Sequence, residues 1–234
     1  HTQLAVFWIA TAWLATGLFI APAVSGHEPR FQRAGVNLLF FCLLLIVVGS
    51  MYGTWAGTRQ KMGLEANFWF GHQGWEYLEL GRFWQILLLT GLVFWLVIVY
   101  RAVGPQSLKP KDPHFKALVN FYVFSAILVV FFFAFGLLYS RGSHLTVADY
   151  WRWFVVHLWV ENIFEFFGIA IIALLLVTMG LASARAAILV AYFTVSIVFL
   201  SGIIGTAHHF FWFGQPAFWL GVGSIFSSFE PIPL

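Results

Sequence analysis

Long apolar runs broken by short polar stretches organise the chain, at residues 4–21, 35–55, 81–102, 117–138, 150–180 and 186–212, with a further run begun at Ala217. A hydrocarbon layer about 30 Å thick is crossed by about 20 apolar residues of helix, and only helices or closed barrels satisfy every backbone group in lipid. Runs this long and continuous predict helices. The expected fold class is an all-α integral membrane protein, a polytopic transmembrane helix bundle with six complete spans and the start of a seventh. Turn signals fall between the runs, at Ala21-Pro22, Gly104-Pro105, the stretch from Lys109 to Pro113, Gly142-Ser143 and Gly214-Gln215-Pro216.

Composition agrees with that pattern. The 234 residues are 61% hydrophobic, 20% aromatic and only 9% charged, against about 25% charged in an ordinary globular chain. A soluble domain, a disordered tail and a nucleic-acid binder are excluded. The single cysteine, Cys42, lies in an apolar run and rules out a disulfide framework or a paired-cysteine metal motif. The small basic surplus is scattered, yet it sorts by side of the membrane. Arg30, Arg33, Arg101, Lys109, Lys111, Lys116 and Arg185 share one side, and Arg59, Lys61, Arg82, Arg141 and Arg152 the other. The positive-inside rule then places the first set in the cytoplasm and the His1 end outside. The chain opens at His1 without a methionine and closes at Leu234 early in an apolar segment, so it reads as a piece of a longer polypeptide.

The longest connection, residues 57–80, falls on the outer side and is too apolar for a flexible linker. It holds Glu65, His72, Glu76 and Glu79, and its Trp69, Phe70 and Trp75 suit the headgroup layer. His27, His72, His114 and His144 sit in loops, where an exposed histidine is the ordinary case.

Other ionisable residues fall inside the apolar segments: His157, Glu161, Glu165, His208, His209 and Glu230. An acid at mid-membrane costs about 2.5–3.5 kcal/mol even on lenient insertion scales, so these groups are expected to converge on something polar. His157, Glu161 and Glu165 recur every fourth residue and share one helix face. Antiparallel traverse of the next two segments brings His208 and His209 to the level of His157, and Glu230 to that of Glu165. Three neutral imidazoles suit iron, copper or zinc, and a carboxylate oxygen beside them tilts the choice toward iron. The site inferred is non-haem iron held by His157, His208, His209 and Glu161. Adjacent histidines on an ideal helix diverge by about 100°, so binding one metal needs a distorted turn, which Gly202 and Gly205 would permit. Structural pairing, or a proton or cation path through a transporter, is the alternative for each residue taken singly. For Glu165 and Glu230 a proton relay fits better than ligation.

Three motifs occur in sequence: His157-Leu-Trp-Val-Glu161 with Glu165, Gly202-Ile-Ile-Gly-Thr-Ala-His208-His209, and Gly223-Ser-Ile-Phe-Ser-Ser-Phe-Glu230-Pro. Together they resemble the catalytic subunit of bacterial nitric oxide reductases, members of the haem-copper oxidase superfamily. The segment from His1 to Pro22 and the loop Phe70-Gly-His-Gln-Gly-Trp-Glu-Tyr-Leu-Glu79 resemble the single-chain, quinol-dependent branch. The resemblance implies that residues 1–234 are part of one transmembrane catalytic domain in a bacterial cytoplasmic (inner) membrane, truncated at both ends relative to the family. It also implies the reaction 2 NO + 2 e⁻ + 2 H⁺ → N₂O + H₂O. Electrons would pass from quinol through a low-spin haem b to a high-spin haem b3 paired with the non-haem iron, FeB. His157, His208, His209 and Glu161 match the FeB ligands, Glu165 and Glu230 the glutamates tied to proton delivery, and His1 an axial ligand of the low-spin haem. Glu76 matches a carboxylate ligand of a Ca²⁺ ion, with Glu79 its near neighbour. Asn162 departs from the pattern, which has glycine directly after the iron-binding glutamate. Oxygen-reducing oxidases of the superfamily carry tyrosine where Glu161 stands, which argues against that activity. The remaining haem ligands would fall to a later helix, and a homodimer stays open.

Overall fold

The computed structural model describes residues 2–74, 80–107, 112–211 and 214–229. Described residues are helical almost throughout, with six helices long and apolar enough to cross a membrane. These are α1 (Thr2–Ser25), α2 (Gln32–Thr58), α4 (Arg82–Ser107), α5 (Pro113–Ala134), a fifth span built from α6 (Leu145–Val155) and α7 (Phe164–Thr178), and α8 (Ala184–Gly205). A short helix α3 (Leu64–Phe70) occupies the long connection, and α9 (Ala217–Ser227) begins the seventh segment. The polytopic helix bundle expected from the hydropathy pattern is the architecture found.

Span ends differ from the apolar runs because capping, not hydropathy, sets them. Asp112 accepts from the His114 N–H at 2.9 Å with Pro113 next to it, so α5 starts before its apolar run. His144 caps α6 through the Thr146 N–H, and Ser183 caps α8 through the Ala186 N–H. Two expected turns are absent. Pro22 lies inside α1, which runs on to Ser25 and closes at Gly26, and α4 continues through Gly104-Pro105 to Ser107. A proline in the last turns of a membrane helix removes a single backbone bond, which does not by itself end the segment. At the other extreme, α8 ends at Gly205 and passes into a 3-10 turn over Thr206–His209, and Trp212 lies outside the described residues.

Apolar burial does not hold such a bundle together, because lipid is as apolar as leucine; small residues and interhelical hydrogen bonds do. Gly17 of α1 lets Phe167, Trp95 and Tyr122 crowd in, and Gly168 of α7 receives Trp13. Buried Tyr122 donates its hydroxyl to Gly17 O at 2.8 Å, Trp95 donates to Leu14 O at 3.0 Å, and Trp159 donates to Val129 O at 2.7 Å. Such bonds contribute about 0.6 kcal/mol each on average in membrane bundles. They pin α1 to α4 and α5, and α5 to the middle of the fifth span. By contrast α2 turns Phe40, Phe41, Leu45 and Val48 outward.

The long connection between α2 and α4 is ordered by polar contacts. Asn67 of α3 accepts from the His72 N–H at 3.1 Å, and its amide meets His72 Nε2 at 3.3 Å. His72 is therefore engaged in the loop instead of simply facing water. Phe70 O accepts from Trp84 Nε1 at 2.9 Å and lies directly over Gly53 of α2. Beyond the fourth span, buried Tyr139 receives the amides of Gln73 at 3.2 Å and Gln85 at 3.1 Å, while Arg82 donates to its carbonyl at 2.6 Å. Trp75, Glu76 and Glu79 lie outside the described residues.

Two outcomes follow from this layer. Gly53→Ala would drive a methyl into the Phe70 carbonyl and is expected to cost about 1–3 kcal/mol, read as a lower unfolding midpoint of the detergent-solubilised protein. Burial pushes the Tyr139 phenol above its ordinary value of 10.0, opposed by the Gln85 and Gln73 bonds and by Arg82. The unfolded chain then loses this proton first, so stability holds below that pH and falls above it. Tyr139→Phe should flatten that alkaline decline in unfolding measured across pH.

Candidate metal centre

The fifth span is not a continuous α-helix. Between α6 and α7, residues Val156–Ile163 form a π-helical segment, a widened turn that recurs at functional sites. This segment carries His157, fully buried, and Glu161, half-buried. The second irregularity lies opposite, where α8 tightens into a 3-10 turn at Thr206–His209. That turn supplies the distortion a histidine pair needs: the rings of His208 and His209 lie 4.0 Å apart between centroids at 41°. From behind, α9 presses on this turn through Gly223, where a Cβ would collide with the His208 backbone, and Gln215 donates to Ala207 O.

Donor atoms of His157, Glu161, His208 and His209 all lie within 4.8 Å of one another. His157 Nδ1 is 2.6 Å from Glu161 Oε2 and 3.1 Å from His209 Nε2, which is itself 3.3 Å from the same Glu161 oxygen. The other nitrogen of His157, Nε2, sits 2.8 Å from Gly202 O and must donate there, leaving Nδ1 with its lone pair toward the cluster. Trp153 stacks on His209 at 4.6 Å and 16°, fixing that ring's plane.

The donor set passes a chemical test for a cation. Lone pairs this close must share protons or a cation, and a single cation would serve all four donors at once. Imidazole nitrogens with one carboxylate oxygen suit iron, and the Gly202 carbonyl on the far nitrogen is the outer-shell contact that metal-bound histidines usually make.

All four residues expected around a metal are thus brought together. Glu165 opens α7 one turn beyond Glu161 and is half-buried. His1, Glu76 and Glu230 lie outside the described residues. Sequence reasoning misses the parts that Trp153, Gly202 and Asn162 play here. Trp153 stands four residues before His157 and so shares its face, which is the available signal.

Fold and pocket together define a multi-pass membrane protein with a three-imidazole, one-carboxylate cluster between its fifth and sixth spans that could hold a metal ion. The family described as Cytochrome C and Quinol oxidase polypeptide I matches residues 1–234, and the chain belongs to it. Haem and metal cofactors are implied by that membership. A relative from Stutzerimonas stutzeri, a subunit of nitric oxide reductase, is 29% identical over 239 aligned positions, covering 100% of this chain and 47% of the relative. The chain therefore spans about half the length of that relative. In the full-length protein, His157→Ala should reduce bound non-haem iron at least tenfold by metal analysis, while His72→Ala leaves it unchanged.

Proposed function

We propose that the chain is the core of a nitric oxide reductase of the quinol-dependent, single-chain type, part of one transmembrane catalytic domain in a bacterial cytoplasmic membrane. The observation that carries this reading is the Glu161 carboxylate, 2.6 Å from His157 Nδ1, at the position where oxygen-reducing relatives carry tyrosine. An anionic oxygen among imidazoles favours iron over copper. The name of the Stutzerimonas stutzeri relative supports nitric oxide as substrate. Quinol as donor rests on the 1–22 and 70–79 segments alone, and so do His1 as a low-spin haem ligand and Glu76 as a Ca²⁺ ligand.

The reaction consumes two NO, two electrons and two protons and yields N₂O and water. Iron and the haems, when bound, would pass on electrons from the donor and supply Lewis acidity. His157, His208, His209 and Glu161 would hold the non-haem iron. His157 is oriented by Gly202 O, His209 by the face of Trp153, and Glu161 contributes the charge that a purely imidazole set lacks. Glu165, one turn beyond Glu161, would hold a proton and hand it toward the pocket, and Glu230 would do the same work. Buried apolar residues beside His157 lower the dielectric on that side and strengthen its electrostatic contacts. An apolar cavity of about 350 Å³ between α1, α2 and α4 reaches Val156 and Val160, on the segment that carries His157 and Glu161. A small uncharged gas enters such a space at little cost.

The test uses the full-length protein. Haem bands in the visible spectrum, non-haem iron and NO consumption with a quinol donor are expected together. Glu161→Ala should lower iron content and NO turnover at least tenfold with haem content near wild type. Unchanged iron and turnover would remove Glu161 from the site, and a colourless protein would favour a haem-free transporter.

A further inference from the structure

Asn162 directly follows Glu161 in the π-helical segment and is 1% exposed. Its Nδ2 donates to Val198 O of α8 at 2.8 Å. Its amide also fills the space above Gly202, where any Cβ would run into Nδ2. The Gly202 carbonyl in turn accepts from His157 Nε2 at 2.8 Å and from Thr206 Oγ1 at 2.9 Å. One buried amide thus ties the π-helical segment to the part of α8 that leads into the histidine-bearing 3-10 turn. It grips α8 at Val198, one turn before Gly202, and seats against Gly202 itself. Glycine at position 162 would offer neither contact.

We infer that Asn162 is a positioning residue: it holds the Val198–Gly202 turn so that the Gly202 carbonyl faces His157 Nε2, fixing the tautomer that presents Nδ1 to the metal. A histidine has two possible neutral tautomers, and the partner of one nitrogen decides which lone pair the other offers. Outer-shell contacts of this kind change metal affinity by 10- to 100-fold when removed. The inference rests on the metal-centre reading above and adds a residue that touches neither metal nor substrate.

The experiment measures how fast non-haem iron leaves the full-length protein to an excess of chelator, beside the nitrogen NMR signature of isotope-labelled histidine in the zinc-loaded form. Asn162→Leu keeps the volume and removes the donor, and it is expected to release iron roughly tenfold faster and to expose the His157 Nε2 proton to exchange. Asn162→Gly, which opens space instead of crowding it, is expected to do the same and serves if the leucine variant fails to fold. Wild-type iron retention with an unmoved His157 signature in either variant would make Asn162 a space filler and overturn the inference. A wild-type protein that holds haem but no metal at the histidines would overturn the metal-centre reading itself.

Discussion

Three donor atoms, from His157, Glu161 and His209, face one another within 3.3 Å inside an apolar bundle. Lone pairs gather so closely only with protons or a cation between them, and in a low-dielectric interior that demand is far stronger than in water. Much of the surrounding architecture answers to it. The fifth span widens at Val156–Ile163 and the sixth tightens at Thr206–His209, so that donors from two antiparallel helices meet at one level. Local departures from regular helix, not long loops, make the pocket.

Keeping these irregular turns in place falls to the rest of the bundle. Lipid gives no hydrophobic reason for helices to associate, so specific contacts must do it. Tyr122 on Gly17, Trp95 on Leu14 and Trp159 on Val129 lock α1, α4, α5 and the fifth span into one register. Trp159 also belongs to the π-helical segment, so its bond to α5 anchors the widened turn on the side away from the histidines. The same span is thereby held from two directions, by α5 behind and by Asn162 and His157 against α8 in front.

The number of spans and the four donor residues are legible in the sequence, because long apolar runs and ionisable side chains within them are signals that composition carries directly. Helix ends are less legible. Pro22 and Gly104-Pro105 look like punctuation, yet a helix in a bundle passes through them, and Asp112, His144 and Ser183 set starts that hydropathy does not register. The widened turn has no signature at all, since π and α geometry differ in hydrogen-bond partner and not in residue type. Trp153 and Gly202 are hidden for a related reason: an aromatic or a glycine in a membrane helix is ordinarily packing, and only its neighbours in space give it another role. Asn162 stands out in the sequence as a departure from a family pattern, but its contacts with Val198 and Gly202 come from the fold.

A π-helical segment is in effect an α-helix carrying one surplus residue, and its neighbours α6 and α7 are regular. Losing a single residue anywhere between 156 and 163 would let the span close into uninterrupted α-helix, with α6 and α7 nearly in their present register but without the widened turn that brings His157 and Glu161 to the pocket. Exchange of side chains in this stretch can leave the widened turn in place whereas loss of a residue removes it, so the pocket depends on the number of residues from His157 to Phe164 as well as on their identity.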